Sequence, residues 1–332
     1  MTNAVQDRHT PAARDSLPPA LIVAGPTASG KSALALEIAR HVGGTIVNAD
    51  SMQVYRELRV LTARPSPADE ALVPHLLYGV RSAAEAGSVA WWRGAALDAM
   101  DRARAAGRLP ILTGGTGLYF AALAGGLAEI PDPGPEARAE ARRLLAELGA
   151  PALHAGLAKV DPATAARLRP ADSQRIARAW EVWRGTGMGL AAWQNRRSTA
   201  APWCFAAILL DPPRDALRAA IATRFDAMLR QGVLEEVRAL LSLGLDPALP
   251  AMRAHGVPEL SAYLRGRLTL EEAGQRTALV TGQYTKRQAT WFRHHSLADA
   301  TLTHTIHARF TDLAQFSESN CANLLAFIES LG

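Results

Sequence analysis

The loop Gly25-Pro26-Thr27-Ala28-Ser29-Gly30-Lys31-Ser32 follows the apolar run Leu21-Ile22-Val23-Ala24 and precedes the helix-like run Ala33-Leu34-Ala35-Leu36-Glu37-Ile38. Its spacing is that of a Walker A loop, and such a loop works only where a buried strand hands over to a helix N-terminus. Glycine lets the backbone curl until its N–H groups converge on phosphate oxygens, and the helix dipole adds partial positive charge at the same place. Lys31 then reaches the distal phosphate, and the Ser32 hydroxyl is a ligand for Mg2+. The motif therefore predicts a βα unit that binds phosphate, but it does not say which bond breaks.

The rest of the chain extends the βα reading. Strands are predicted at residues 21–24, 45–47, 76–80, 109–112 and 205–210, with helices at 31–41 and from Ser88 to about residue 106. Short apolar strands alternating with helices give a doubly wound parallel sheet. Residues 136–196 show helical segments and no strand, which predicts a helical insertion. After the last strand, helices dominate, most clearly Arg214–Arg230 and 271–295. The expected architecture is α/β: a P-loop NTPase-like parallel sheet core (residues 20–130 and 200–332), a helical insertion domain (131–199) and a helical C-terminal region. Residues 1–19, with Pro11, Pro18 and Pro19, read as a disordered leader.

Composition excludes several classes. With 48% hydrophobic and 20% charged residues, the 332-residue chain is globular and long enough for a large core. No run of eighteen apolar residues and no signal-peptide pattern is present, so a cytoplasmic protein without membrane attachment is expected. The two cysteines, Cys204 and Cys321, form no zinc pattern and are expected to be reduced core residues. The net charge of +5, with arginine supplying almost all the positive charge, hints only weakly at an anionic partner and does not by itself imply nucleic acid.

Position carries more than bulk charge. Asp50 ends the second strand, at the sheet edge where ligands bind, and serves there as a base, a metal partner or a cap. The run Gly114-Gly115-Thr116-Gly117 ends another strand at that edge. An ordinary NTPase more often places a carboxylate there, and small residues leave room for a large substrate. Arg224 falls on the apolar stripe of Leu217, Ile221 and Met228, so it either faces inward toward an anion or snorkels while Phe225 completes the stripe. Two helices have basic faces: Gln174, Arg175 and Arg178 opposite a stripe of Ile176, Trp180 and Trp183, and Lys286 with Thr290 and Arg293. Such faces suit solvent, or RNA phosphates and bases.

Taken in order, these pieces resemble the tRNA dimethylallyltransferase family. The matching residues are the Walker loop, Asp50-Ser51 with Tyr55, Thr62-Ala63-Arg64-Pro65 and Pro74-His75-Leu76-Leu77. They continue through Gly114-Gly115-Thr116 with Leu118-Tyr119-Phe120, Asp161-Pro162, Asp172 with Arg175-Ile176-Arg178-Ala179, and Arg224-Phe225. Lys286-Arg287-Gln288 with Thr290-Trp291 completes the set. The resemblance implies transfer of a dimethylallyl group from dimethylallyl diphosphate to N6 of adenosine 37, in the anticodon stem-loop of tRNAs reading codons that begin with U. It also implies a Mg2+-dependent enzyme, expected to be a monomer. Asp50 would be the base, Thr116 would assist at the reacting centre, and Arg224 with Lys31 and the loop amides would hold the diphosphate. The tRNA contacts would fall on Asp50, Ser51, Met52, Gln53, Thr116, Arg138, Gln174, Arg175, Ile176, Ala177 and Arg178. They would continue on Arg253, Gly256, Lys286, Arg287, Gln288, Thr290, Trp291 and Arg293.

The chain departs from the family pattern in three places. Arg253-Ala254-His255-Gly256-Val257-Pro258 stands where the family has Arg-Cys-Val-Gly-Tyr-Arg, Trp91-Trp92 replaces an acidic-aromatic pair, and Arg64 replaces a lysine. Three rivals stay open on sequence alone: a small-molecule P-loop kinase, a prenyltransferase acting on free adenine nucleotides, and a non-catalytic RNA-binding ATPase.

Overall fold

The computed structural model describes residues 17–196, 198–312, 324 and 326–328. Apart from residues 17–19, the expected leader lies outside these, as does Cys321. The chain divides into two compact units, one of Met1–Ala124 with Ala201–Gly332 and one of Gly125–Ala200.

The larger unit is built on one six-stranded, wholly parallel sheet. Its strands are β1 (Pro19–Ala24), β2 (Thr45–Asn48), β3 (His75–Leu76), β4 (Pro110–Gly114), β5 (Cys204–Leu210) and β6 (Thr303–Ile306), in the order β3-β2-β4-β1-β5-β6. Alternation along β1 sends Ala20, Ile22 and Ala24 into one core cluster and Leu21 and Val23 into the other, so both faces are covered. Because every strand runs the same way, the loops after β1, β2 and β4 emerge at one edge, the ligand-binding edge of open α/β sheets.

The helix after β1, α1 (Lys31–Val42), starts at Gly30 (φ 91°) and stops at left-handed Gly43, and Ser88 caps α2 (Val89–Ala105) by accepting from Trp91 N–H at 3.1 Å. The expected strand at 76–80 shrinks to His75–Leu76. Leu77 and Gly79 both take left-handed φ (65° and 59°), which ends the extended run. Strand β6 was not anticipated. Cys204 is half-buried rather than a fully enclosed core residue.

The loop from Leu58 to Pro65 is pinned from a distance. The Glu236 carboxylate, on the helix Val233–Ser242, accepts from the backbone N–H of Arg59, Val60 and Leu61 at 2.7, 2.7 and 2.9 Å. The same loop offers the carbonyls of Thr62 and Ala63 to Gln53 Nε2 at 2.9 and 3.0 Å. Glu236→Ala is expected to lower the unfolding free energy in urea by about 1–3 kcal/mol, because three donors lose an ionised acceptor. A change inside roughly 0.5 kcal/mol would mean that water serves those donors equally well.

The smaller unit is helical, as expected: Gly134–Val160, broken at Gly149 ahead of Pro151, then Pro162–Ala165, Ser173–Thr186 and Leu190–Gln194. On Ser173–Thr186 the buried stripe is Ile176, Ala179 and Val182, not Ile176 with the two tryptophans. Trp180 and Trp183 lie at its margin, edge-to-face at 5.2 Å, where the Trp180 N–H reaches Glu140 at 3.1 Å. An indole with a polar N–H favours that half-wet position over full burial.

Candidate active site

Three loops meet at the carboxyl edge of the sheet. The loop after β4 lies directly on the loop after β2: Ala49 N–H donates to Thr113 O at 2.8 Å and Thr116 N–H to Ala49 O at 3.3 Å. A Cβ on Gly114 would sit 2.1 Å from Ala49 O, so this approach requires glycine. Gln288, on the helix Leu270–His294, ties the loop after β1 to the loop after β4. Its Oε1 accepts from Thr27 N–H at 2.9 Å and Thr27 O–H at 3.2 Å, and its Nε2 donates to Gly115 O at 2.8 Å.

Asp50 follows β2 at this edge, beside the loop after β4. Its Oδ1 accepts from Met52 N–H at 2.9 Å, which leaves Oδ2 uncommitted among the described residues. Buried Asn48 holds the backbone of Asp50 from both sides, accepting from its N–H at 2.9 Å and donating to its carbonyl at 3.0 Å. The remaining amide proton of Asn48 goes to Leu77 O at 3.1 Å, and its own carbonyl accepts from the Trp92 indole at 2.8 Å. Trp92, one of the two departures at 91–92, is thus buried support for the Asp50 turn. Thr116 Oγ1 accepts from Ser51 N–H at 3.0 Å and lies 3.3 Å from Ser51 Oγ.

Cations converge on the same carboxylate. Burial pushes the Lys31 ammonium down to about 8, the negative charge of Asp50 pulls it back up, and the positive charge of Arg224 lowers it. Burial likewise lowers the Arg224 pKa, with Asp50 again opposing. Arg224 makes no hydrogen bond or ion pair among the described residues beyond this coupling. Both sequence alternatives for its helix hold in part: Arg224 is deep enough to be desolvated, while Phe225 packs on Gly274, where a Cβ would lie 2.7 Å from its ring. Two desolvated cations sharing one carboxylate leave an excess of positive charge, which an anionic ligand would neutralise.

Sequence reasoning missed Tyr284, one helical turn before Gln288. Its phenol neighbours Thr116 and Gln288, and burial, followed by the charge of Asp50, pushes it up to about 12. Its ring packs edge-to-face on His255 at 4.8 Å, with the Arg287 guanidinium 5.5 Å above it. The i, i+4 relation of Tyr284 to Gln288 was the available signal.

Some predicted contact residues are placed otherwise. Ile176 is fully buried, so its side chain has no free face. Gln288 is 5% exposed with both ends of its amide engaged, which makes it a brace. Gly256 is buried at φ 100° and starts the helix Val257–Leu264. Arg293 is exposed but holds Asp211 through two bonds of 3.1 and 2.9 Å. Lys286, Arg287, Thr290 and Arg253 are exposed, and Trp291 packs half-buried on Gly117. In the smaller unit, exposed Gln174, Arg175 and Arg178 line one helix, with Ala177 half-buried among them. Arg175 pairs with Asp172, Arg178 with Glu181, and Arg138 with Asp132.

A parallel sheet with helices on both faces, whose first strand opens into the loop Gly25–Ser32 with a carboxylate and two half-buried cations beside it, defines an α/β enzyme with a positively charged site. Comparison with known proteins narrows this class. The IPP transferase family model matches residues 53–295, and an isopentenyl transferase model matches residues 19–73. The chain belongs to the IPP transferase family. It is 62% identical over 312 residues to the tRNA dimethylallyltransferase of Granulibacter bethesdensis, covering 94% of this chain and 98% of that one. It is 58% identical over 329 residues to that of Acidiphilium cryptum, covering 99% of both. Among solved structures, the tRNA isopentenylpyrophosphate transferase of Bacillus halodurans superposes with a TM-score of 0.66 at 29% identity, over 95% of this chain and 98% of that one. A eukaryotic dimethylallyltransferase described as acting on tRNA shares the fold, with a TM-score of 0.75 at 23% identity over 93% and 78%.

Proposed function

We propose that this chain transfers a dimethylallyl group from dimethylallyl diphosphate to N6 of adenosine 37 in tRNAs reading codons that begin with U, releasing diphosphate. The observation that carries the reading is the excess positive charge of Lys31 and Arg224 beside the Walker loop, around a carboxylate with one oxygen uncommitted among the described residues. The diphosphate sits on the loop Gly25–Ser32 under Lys31 and Arg224. An adenine amine is a poor nucleophile because its lone pair is delocalised into the ring. Asp50 takes the N6 proton as the N6–C1 bond forms and the C1–O bond breaks, and Thr116, braced on Ser51, orients the amine. Charge developing on the leaving oxygens meets the loop amides and the two cations, which are already in place.

The donors present fit Mg2+. The Ser32 hydroxyl is exposed in the first helical turn, and the described residues hold no cluster of three acidic, His or Cys side chains. That suits an ion bound by one or two protein oxygens together with substrate phosphates. When bound, it would neutralise charge on the diphosphate.

Each unit offers a basic face for RNA: Lys286 and Arg287 in the larger, and Arg175 and Arg178, with Arg138, in the smaller. Asp50, Ser51, Met52 and Gln53 line the turn that faces the flipped base. No described helix is long and apolar enough to cross a membrane. A cytoplasmic, monomeric enzyme is proposed.

The test is to incubate the protein with dimethylallyl diphosphate, Mg2+ and undermodified tRNA, then digest and weigh the nucleosides. Prenylated adenosine from tRNA and none from free adenine nucleotides is the expected result. Phosphate release from ATP without prenylation would overturn the assignment.

A further inference from the structure

Strand β6 runs parallel to β5, so the chain beyond it arrives at the edge that carries the Walker loop. There it touches the back of that loop at two consecutive residues. Arg309 Nε donates to Ala28 O at 3.0 Å, and Phe310 N–H donates to Ser29 O at 2.9 Å. Phe310 is 1% exposed, with its ring in the core cluster of Leu34, Ile38 and Leu210, and a Cβ on Gly30 would fall 2.0 Å from its carbonyl oxygen. The loop held this way carries two left-handed residues, Ala28 (φ 66°) and Gly30 (φ 91°). In a trans peptide the C=O and N–H point in opposite directions. A Ser29 carbonyl fixed on Phe310 therefore turns the Gly30 N–H to the opposite side of the loop, and among the described residues nothing accepts from it.

We propose that Arg309 and Phe310 form a clamp that sets the loop in its phosphate-binding shape, making them positioning residues for the diphosphate donor. The clamp lies beyond residue 295, where the family model's match ends. The proposal rests on the diphosphate occupying the loop Gly25–Ser32. An unclamped loop samples other peptide orientations, and the ligand must then bear the cost of ordering it.

The experiment measures binding of inorganic pyrophosphate by calorimetry, KM for dimethylallyl diphosphate and tRNA affinity in the full chain. Arg309→Met keeps the apolar stem and removes the donor. It is expected to raise the pyrophosphate Kd and the donor KM about 5–10-fold, the effect of losing one hydrogen bond of ordinary strength. The tRNA affinity should not move. Arg309→Gln, which keeps an N–H donor without the charge, should restore part of the loss. An unchanged pyrophosphate Kd in Arg309→Met, or an equal loss of tRNA affinity, overturns the clamp while leaving the diphosphate site intact. A wild-type protein that binds no pyrophosphate overturns the diphosphate reading itself.

Discussion

Asp50→Asn is expected to lower kcat by roughly 10²–10⁴-fold, the range over which a positioned general base acts, while tRNA affinity changes little. The substitution is close to isosteric, so the Met52 N–H can still find an oxygen and the grip of Asn48 on the backbone is untouched. What disappears is the negative charge and the ability to take a proton. A second effect must be separated from this. The charge of Asp50 raises the pKa of Lys31 against burial, so its removal drops Lys31 below about 8 and weakens diphosphate binding near neutral pH. That loss appears in KM for the donor and is overcome by saturation; the missing base is not. Single-turnover rates at saturating dimethylallyl diphosphate are the deciding measurement. A kcat within a few-fold of wild type, with the whole loss in KM, would make Asp50 an electrostatic partner of Lys31 and not the base.

Legibility in the sequence followed the range of the interactions. The Walker loop is local: strand, glycines and helix start lie within about twenty residues, so periodicity and spacing expose it. Asp50 was visible as the residue after a strand, and Arg224 as a charge at a helical position due to be apolar. The braces were not visible. Gln288 reaches Thr27 across 261 residues and Arg309 reaches Ala28 across 281, and no local pattern specifies such partners. The resemblance instead implied a tRNA contact for Gln288, and a polar residue on an amphipathic helix reads as exposed until its partners are known. The error at Trp180 and Trp183 is one of phase: bulky aromatics dominate a hydrophobicity reading, yet Ala179 and Val182 complete the turn that Ile176 begins. The third strand was overcalled because Leu77, apolar and adjacent to a strand, takes a left-handed φ that its residue type disfavours. Asn48 donates to the carbonyl of that residue, so the interruption in the strand belongs to the support of Asp50.

Arg224→Ala is expected to reduce kcat/KM for dimethylallyl diphosphate by about 10²–10³-fold, the usual effect of deleting one preorganised donor to developing negative charge. The direction of its effect on Lys31 makes the experiment clean. Arg224 lowers the Lys31 pKa, so its removal lets that pKa rise from about 8 while Asp50 continues to raise it. Lys31 stays protonated at neutral pH, and the loss cannot be traced to a silenced lysine. Folding should not suffer, since burial already disfavours the Arg224 charge and no described hydrogen bond is broken by its removal. A smaller neutral side chain there loses some packing beside Ile221 and Met228, and Arg224→Met controls for that volume. If the guanidinium serves the leaving group, Arg224→Met and Arg224→Ala lose donor kcat/KM alike and both keep tRNA affinity. Pyrophosphate inhibition separates ground state from transition state: a Ki raised as much as kcat/KM falls means the arginine binds diphosphate equally at both stages. A smaller rise in Ki assigns the remainder to charge that appears only as the carbon–oxygen bond breaks. Full donor kinetics with weakened tRNA binding would place Arg224 against RNA and overturn its role in the site.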